Sequence, residues 1–164
     1  MTFINDEAQG LVLEIAELLK EKKALLAVSE SCCGGLISSF LVSVPGASQF
    51  FVGGATTYSL RSRLSLSGWS EADIASYTGP SEEVATRLAR SLKLELGATV
   101  TLAETGWAGP GPEHGPRTGT AFFAINGPKG ILSKTFHHDS HNRTENMEQF
   151  ATGALMFLRD YLKN

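Results

Sequence analysis

The sequence predicts a mixed α/β fold, in which one sheet holds parallel and antiparallel strands and carries helices on both faces. Short apolar runs alternate with helical segments over the first two thirds of the chain. Strands connected by helices pair in parallel. Two further apolar runs flank the turn at residues 127–130, and such a hairpin makes an antiparallel pair. Crossovers followed by a hairpin therefore predict a mixed sheet.

The chain begins with a predicted helix over residues 5–22, because its apolar residues recur at helical spacing. Asn5 or Asp6 can cap the start of this helix. The apolar run 24–28 predicts the first strand. An amphipathic segment after it predicts a second helix, which stops near the Pro-Gly pair at 45–46.

The remaining elements follow from turn signals and periodicity. They are a strand over 50–58, a polar segment over 59–67, a short helix over 71–77, a helix capped by Ser81 and ended by Gly97, a strand over 98–103, a hairpin of strands 120–126 and 131–137, and a final helix over 142–162. Residues 106–119 are rich in glycine and proline, so we expect no regular structure there but a functional loop. The length of 164 residues suits one domain, 1–164.

Composition excludes several classes of protein. The net charge of −3 and the lack of a lysine or arginine run argue against a nucleic-acid partner. We also expect no membrane partner, since no apolar stretch is long enough to cross a bilayer. The first residues do not resemble a signal peptide, so the expected location is cytoplasmic. The histidines at 137, 138 and 141 lack a second ligand cluster, so we predict no metal.

The only cysteines, Cys32 and Cys33, are adjacent in the chain. Adjacent cysteines rarely bridge each other, and two alone make no metal site. We expect both to be small packing residues at a helix start. A thiol of lowered pKa is the alternative, because a helix N-terminus favours the thiolate.

Ser31 lies in a run of small residues, Ser29 to Gly35, between the first strand and the second helix. A hydroxyl at a helix N-terminus sits where free backbone N–H groups and the helix dipole favour negative charge. This place suits a nucleophile with an adjoining oxyanion site. The alternative is that Ser31 only caps the helix, since serine is among the commonest N-caps.

Three loops are expected to face one cleft, because ligands in open α/β sheets bind where strand ends meet loops. These loops follow the strands that end near Val28, Tyr58 and Ala103. The third is the glycine- and proline-rich stretch, whose bare backbone N–H groups suit a phosphate or a carboxylate. A purely structural turn is the alternative for that stretch.

Four further side chains are candidates for chemistry in this cleft. Tyr58 is either an amphipathic aromatic at the rim of the core or a phenol that relays a proton or orients a substrate. Arg61 and Arg63 are either solvated or able to hold a phosphate. Glu104 interrupts an apolar strand end, where a carboxylate is costly unless it is paired or solvated. It is an acid/base candidate or an ion-pair partner for one of the two arginines.

Four motifs, which appear in the family's order, resemble those of the CinA C-terminal domain, a family also found as the single-domain nicotinamide-nucleotide amidohydrolase PncC. The motifs are Ser29-Glu30-Ser31-Cys32-Cys33-Gly34-Gly35, Val44-Pro45-Gly46-Ala47-Ser48, Gly53-Gly54-Ala55-Thr56-Thr57-Tyr58-Ser59 and Thr105-Gly106-Trp107-Ala108-Gly109-Pro110-Gly111. The resemblance implies a three-layer α/β/α sandwich with a mixed, mostly parallel sheet. It also implies hydrolysis of nicotinamide mononucleotide to nicotinic acid mononucleotide and ammonia, with no metal or organic cofactor.

The resemblance also implies which residues act. The residues expected in catalysis are Ser31 as nucleophile and Tyr58, which match the family's motifs, together with two residues that depart from the family, Arg63 at its lysine position and Glu104 as an acid/base candidate from its own place in the chain. The residues expected to bind substrate are Cys32, Cys33, Gly34, Gly35, Thr105, Gly106, Ala108, Gly109, Pro110, Gly111 and Arg143. The backbone N–H groups of residues 32–34 would stabilise the oxyanion, and Arg143 would meet the phosphate. The expected partner is a small nucleotide substrate, and the resemblance leaves a homo-oligomer open.

The chain departs from the family pattern at the position of a lysine suited to be a base. Arg63 stands there and Leu60 replaces the usual asparagine, and arginine stays protonated at any useful pH. Three further positions differ from the family's usual residues. Cys33 occupies the position of a threonine, Met147 that of a second arginine and Glu104 that of a small or apolar residue. Glu104 is a candidate for the missing base, if it reaches Ser31. The alternative to an amidohydrolase is therefore a catalytically impaired relative that binds a nucleotide or a partner protein.

Overall fold

The computed structural model describes residues 3–111 and 117–164, and a five-stranded sheet lies at its centre. The strands are β1 (Leu26–Glu30), β2 (Phe51–Thr56), β3 (Val100–Trp107), β4 (Thr120–Gly127) and β5 (Gly130–His137). The helices are α1 (Asp6–Glu21), α2 (Leu36–Val42), α3 (Leu60–Leu66), α4 (Glu71–Ala75), α5 (Glu82–Leu96) and α6 (Arg143–Lys163), with a turn of 3-10 helix at Ala47–Gln49.

The sheet is mixed, as the sequence predicts, with the strand order β2-β1-β3-β4-β5. β1 pairs in parallel with β2 and with β3, whereas β3–β4 and β4–β5 are antiparallel. Four of the five described strands therefore point in the same direction and β4 runs opposite to them, so the sheet is mixed and mostly parallel, as expected. The crossovers of the first half produce the parallel neighbours, and the hairpin produces the antiparallel ones.

The sheet is covered by helices on both faces, which gives the three-layer α/β/α sandwich. α1, α2 and α6 pack together on one face, where the main core cluster lies. α5 lies across the other face and contacts all five strands. β1 is buried along its whole length, as expected for a central parallel strand that is covered on both sides.

Helix starts follow the predicted caps. Asn5 caps α1, since its side-chain oxygen accepts from the Ala8 N–H over 2.8 Å. Ser81 caps α5 by accepting from the Val84 N–H over 3.1 Å. Each cap satisfies one of the backbone donors that a helix N-terminus leaves free. Within the described residues, no helix is both long and apolar enough to cross a membrane.

The polar segment after Tyr58 is a helix, which the sequence pattern does not reveal. Ser59 caps this helix, α3, by accepting from the Ser62 N–H over 3.2 Å. The buried residue of α3 is Arg63 rather than an aliphatic side chain. Leu64 and Leu66 of the segment are exposed, so its apolar residues do not mark the buried face, and a periodicity argument does not find the helix.

β3 extends to Trp107, four residues beyond the predicted strand end. Gly106 pairs with Ala121, and Trp107 pairs with Thr120 on β4. The prediction that residues 106–119 hold no regular structure is wrong for its first two positions. The antiparallel partner supplies hydrogen bonds that outweigh the low strand propensity of glycine.

Candidate active site

A cleft of about 470 Å³ opens where β1 and β3 end, within the size range of small-molecule sites. The turn after β1, the segment after β2, the Tyr77–Pro80 turn and the glycine- and proline-rich loop form its walls, and Arg143 of α6 closes one side. This is the place that the sheet topology predicts for a ligand, at the carboxyl ends of parallel strands.

The structure brings together most of the residues singled out from the sequence. Those that line the cleft are Ser31, Cys32, Tyr58, Arg63, Thr105, Gly106, Ala108, Gly109, Pro110, Gly111 and Arg143. Those that lie outside the lining are Cys33, Gly34, Gly35 and Glu104. Five more residues line it that are not among those expected from the sequence: Tyr77, Gly79, Pro80, Trp107 and Thr118. The Tyr-Thr-Gly-Pro run at 77–80 and the tryptophan inside the glycine motif are the signals that mark these positions.

Ser31 lies at the inner end of the cleft, with only 5% of its surface exposed. Its hydroxyl accepts a hydrogen bond from Nη2 of Arg63 over 3.3 Å. It does not cap α2, because that helix starts at Leu36 and Gly35 occupies the cap position. The interpretation of Ser31 as a helix cap is therefore wrong, and its hydroxyl faces a ligand cleft instead.

The α2 N-terminus is satisfied by Glu30, the buried last residue of β1. The Glu30 carboxylate accepts from the N–H groups of Gly35, Ile37 and Ser38 at 2.8–3.0 Å and from the Ser38 hydroxyl at 2.6 Å. Burial raises the pKa of Glu30, whereas the Ser38 and Ile37 hydrogen bonds oppose that rise. Glu30 thus supplies the hydrogen-bond acceptors for the free N–H groups at the start of α2, and the Ser31 hydroxyl is not needed for capping.

Glu104 is fully buried and lies behind the serine turn. Its Oε2 accepts from the N–H groups of Ser31 and Cys33, each over 3.0 Å. Its Oε1 accepts from the Cys32 thiol over 2.7 Å. Both oxygens are engaged with the turn, and the side chain is not among those lining the cleft. This geometry favours a positioning role over the acid/base role that the sequence suggests.

The same contacts affect the expected oxyanion site. The Cys33 N–H donates to Glu104, and the Gly34 N–H donates to the Ser31 carbonyl over 3.2 Å. Two of the three N–H groups expected to face an oxyanion therefore already have partners inside the protein. The guanidinium of Arg63, adjacent to the Ser31 hydroxyl, is a further donor for a negative charge there.

Arg63 is held in place by neutral hydrogen-bond acceptors and by two aromatic rings. Only 2% of its surface is exposed, and its Nε donates to the Thr57 carbonyl over 3.4 Å. Nη2 also donates to Thr105 Oγ1 over 3.4 Å, and the rings of Trp69 and Tyr77 each lie 5.2 Å from the guanidinium carbon. Among the described residues no carboxylate forms an ion pair with Arg63.

The cysteines of the turn are packing residues, as expected, and neither is a reactive thiolate. Burial raises the pKa of Cys32, and the Glu104 carboxylate beside it adds to the rise. Burial likewise raises the pKa of Cys33. The alternative of a thiol with a lowered pKa is therefore wrong, because burial, with the neighbouring carboxylate adding to it, outweighs the helix terminus.

Tyr58 and Arg143 meet across the open side of the cleft. Nη2 of Arg143 donates to the Tyr58 hydroxyl over 3.0 Å, and its Nη1 donates to the Gly109 carbonyl. Asn146, one turn further along α6, donates to the Ala108 carbonyl over 2.9 Å. The first turn of α6 thus holds the glycine- and proline-rich loop and presents a cation beside it. Residues 112–116 of the predicted loop lie outside the described residues.

The described lining of the cleft carries two arginines, Arg63 and Arg143, and no carboxylate. A cleft lined by cations favours an anionic ligand. Because Arg143 lies against Gly109, this favours the interpretation of the glycine- and proline-rich loop as an anion site. Arg61, the other arginine considered from the sequence, is not among the lining residues.

Comparisons with known proteins agree with one another. The family model of the CinA C-terminal domain matches residues 8–162. A CinA-like protein of Desulforapulum autotrophicum is 35% identical over 159 residues, which are 95% of this chain and 37% of that protein. A CinA-like protein of Thermotoga maritima is 36% identical over 162 residues, 98% of this chain and 38% of that protein. The chain thus spans a little over a third of the length of these relatives.

Solved structures share the fold. The competence/damage inducible protein CihA from Agrobacterium tumefaciens superposes with a TM-score of 0.90 over the whole of both chains, at 24% identity. A competence-damaged protein (CinA) superfamily member from Enterobacter cloacae gives a TM-score of 0.86 at 27% identity, over 94% of this chain and 92% of that one. The first of these likenesses concerns the fold alone.

Proposed function

This chain belongs to the CinA C-terminal domain family, and on that premise we propose that it is an amidohydrolase acting on nicotinamide mononucleotide. The products are nicotinic acid mononucleotide and ammonia. One observation carries the proposal: the Ser31 hydroxyl lies inside a cationic cleft of nucleotide size, 3.3 Å from the buried guanidinium of Arg63. A serine hydroxyl beside a fixed cation suits acyl transfer, in which negative charge develops on oxygen.

In the first step, Ser31 Oγ forms a bond to the carboxamide carbon, and the carbonyl oxygen becomes negative. Arg63 is the donor that stabilises this oxygen, because it is adjacent to Oγ and its place is set by Thr57, Thr105 and two aromatic rings. The C–N bond then breaks and ammonia leaves with the proton of the serine hydroxyl. Water hydrolyses the resulting ester and restores Ser31.

The proton needs a carrier, since arginine does not give up its own. Tyr58 is our candidate, because its hydroxyl lines the cleft and its oxygen already accepts from Arg143. Its own O–H is therefore free to donate to the departing nitrogen. Arg143 and the glycine-rich loop would hold the phosphate of the nucleotide.

A second candidate function is nucleotide binding without turnover. The observation that favours it is the side chain beside Ser31, which is a permanent cation rather than a lysine able to accept a proton. Under this alternative the cleft binds a nucleotide, but no group removes the proton of the Ser31 hydroxyl and no reaction follows.

One experiment separates the two functions. Purified protein is incubated with nicotinamide mononucleotide and ammonia release is measured. Ser31→Ala is compared with Ser39→Ala, the same change at an exposed site on α2. Release by the wild type and by Ser39→Ala, but not by Ser31→Ala, supports the amidohydrolase. No release from the wild type contradicts it.

A variant with lysine at the arginine position refines that negative result. Arg63→Lys restores a group that can exchange a proton beside Ser31. Release by Arg63→Lys alone, with none from the wild type, would show that Arg63 is what prevents turnover. Binding of nicotinamide mononucleotide to the wild type, measured by calorimetry, would then support binding without turnover.

A further inference from the structure

Arg63 is a buried cation whose hydrogen bonds leave its charge unneutralised. Its Nε and Nη2 donate to the Thr57 carbonyl and to the hydroxyls of Ser31 and Thr105, all of which are neutral acceptors. Its Nη1 is buried and has no hydrogen-bond partner among the described residues. A buried charge is costly unless an opposite charge compensates it.

The surroundings of Arg63 reinforce this shortage of acceptors. The indole Nε1 of Trp69, whose ring lies against the guanidinium, is also buried without a partner in the described residues. Glu104 does not relieve the shortage, because its two oxygens accept from the serine turn. Among the described residues, therefore, no anionic acceptor compensates the donors around the Arg63 guanidinium.

We propose that Arg63 makes the inner end of the cleft a carboxylate-binding subsite, so that the cleft holds the carboxylate form of a pyridine nucleotide more tightly than the carboxamide form. The inference rests on the proposed function in one respect, the orientation of the pyridine substituent toward Ser31. A planar carboxylate matches the planar fork of a guanidinium and compensates its charge. A carboxamide offers one neutral oxygen, and its NH₂ group presents further donors to a region already rich in them.

The ligand class that fits has two separated anionic groups. Arg143 lies at the outer part of the cleft, beside Gly109 and Tyr58, and is suited to a phosphate. Arg63 lies at the inner end and is suited to a carboxylate. Nicotinic acid mononucleotide carries both groups, whereas nicotinamide mononucleotide carries one. If the protein is an amidohydrolase, its product therefore stays bound and slows turnover.

The subsite is tested by measuring the dissociation constants of both nucleotides by calorimetry on Ser31→Ala. This variant cannot form the serine ester, so neither nucleotide is turned over through it during the measurement. We expect the dissociation constant of nicotinic acid mononucleotide to be at least about tenfold lower, since hydrogen bonds between charged groups contribute more than neutral ones. Arg63→Gln in the same background should abolish this preference. Arg143→Gln removes the other arginine of the cleft. It should weaken the binding of both nucleotides and leave the ratio of their dissociation constants unchanged.

Free nicotinate and nicotinamide, offered to the wild type, provide a second comparison that needs neither a phosphate nor an Arg63 variant. Tighter binding of nicotinate would support the carboxylate subsite even if Arg63→Gln does not fold. Equal binding of the two nucleotides, or tighter binding of the carboxamide form, would overturn the subsite and leave the proposed amidohydrolase intact. Binding of neither nucleotide would overturn both.

Discussion

The backbone N–H of Ser31 donates to the Glu104 carboxylate across 3.0 Å, although the two residues are 73 positions apart in the chain. The contact fastens the turn after β1 to the neighbouring strand β3. The backbone of the serine turn is thereby fixed from behind, while the serine hydroxyl faces the cleft. A catalytic or binding group held in this way depends on a partner that never touches the ligand.

Glu104→Gln should destabilise the protein, because the glutamine NH₂ group would face donors of the serine turn. We expect a loss of about 1–3 kcal/mol in the free energy of unfolding, the range for a buried donor left unsatisfied. Urea unfolding measures it, with the exposed Glu95→Gln as the control for loss of one charge. A variant within about 0.5 kcal/mol of the wild type would show that the turn does not depend on this carboxylate.

Tyr58→Phe should separate function from stability. The Tyr58 side chain is 61% exposed, so removing its hydroxyl should change the free energy of unfolding by less than about 0.5 kcal/mol. Ammonia release should fall by about a hundredfold or more, the usual contribution of a positioned proton donor. Tyr77→Phe, at the other tyrosine that lines the cleft, keeps the ring beside Arg63 and removes only a hydroxyl, so it is the control and should lower ammonia release much less. Equal rates for both variants would exclude Tyr58 as the proton carrier.

Gly106→Ala should destabilise the protein because β4 leaves no room for a side chain. A Cβ at position 106 would lie 2.8 Å from Ala121 Cα and would also meet the Thr120 carbonyl. Both are backbone atoms, so relief requires β3 and β4 to separate, at a cost of about 1–3 kcal/mol or more. The matched control is Gly10→Ala in α1, where nothing lies within 4 Å. That change should stabilise the helix by about 0.5–1 kcal/mol. Similar thermal denaturation curves for the two variants would contradict the packing argument.

Glu82→Gln should alter how stability depends on pH. The hydroxyls of Ser133 and Thr135 on β5 donate to the Glu82 carboxylate over 2.5 and 2.6 Å and lower its pKa below the ordinary 4.5. A carboxylate with a lowered folded-state pKa stabilises the fold at pH values above 4.5, and this contribution is lost as the pH falls through the lowered value.

The melting temperature, measured from about pH 3 to pH 7, checks this expectation. The difference between the wild type and Glu82→Gln should be largest near neutral pH and should shrink toward acid. Glu83→Gln, one position along the same helix start, removes the same charge and serves as the control. A difference for Glu82→Gln that stays constant across the range would argue against the hydrogen bonds to β5.

Local patterns in the sequence were sufficient to predict much of the fold. Asn5 and Ser81 start their helices as expected, and the hairpin of β4 and β5 follows from the turn between them. These features depend on neighbours close in the chain, where turn chemistry and capping are encoded. The α3 helix escaped prediction because its buried residue is an arginine.

For the candidate site, the sequence predicts many of the residues that line the cleft but not the contacts that they make. The motifs identify Ser31, Tyr58 and the loop around Gly109 as neighbours of one cleft, and the structure places all three in its lining. The roles of Arg63 and Glu104 could not be assigned in the same way. Local propensity does not tell whether a charged side chain is buried or which backbone groups it meets.

The fold class, the order of the elements and the small-residue turn that carries Ser31 are readable from the amino-acid sequence. That Glu104 holds this turn, and that Arg63 lies beside the serine hydroxyl with no ion-pair partner in the described part of the chain, is visible only in the folded protein. Turns and helix starts depend on residues a few positions apart. The environment of a buried charge is instead set by strands and helices that are distant in the chain and adjacent only after folding.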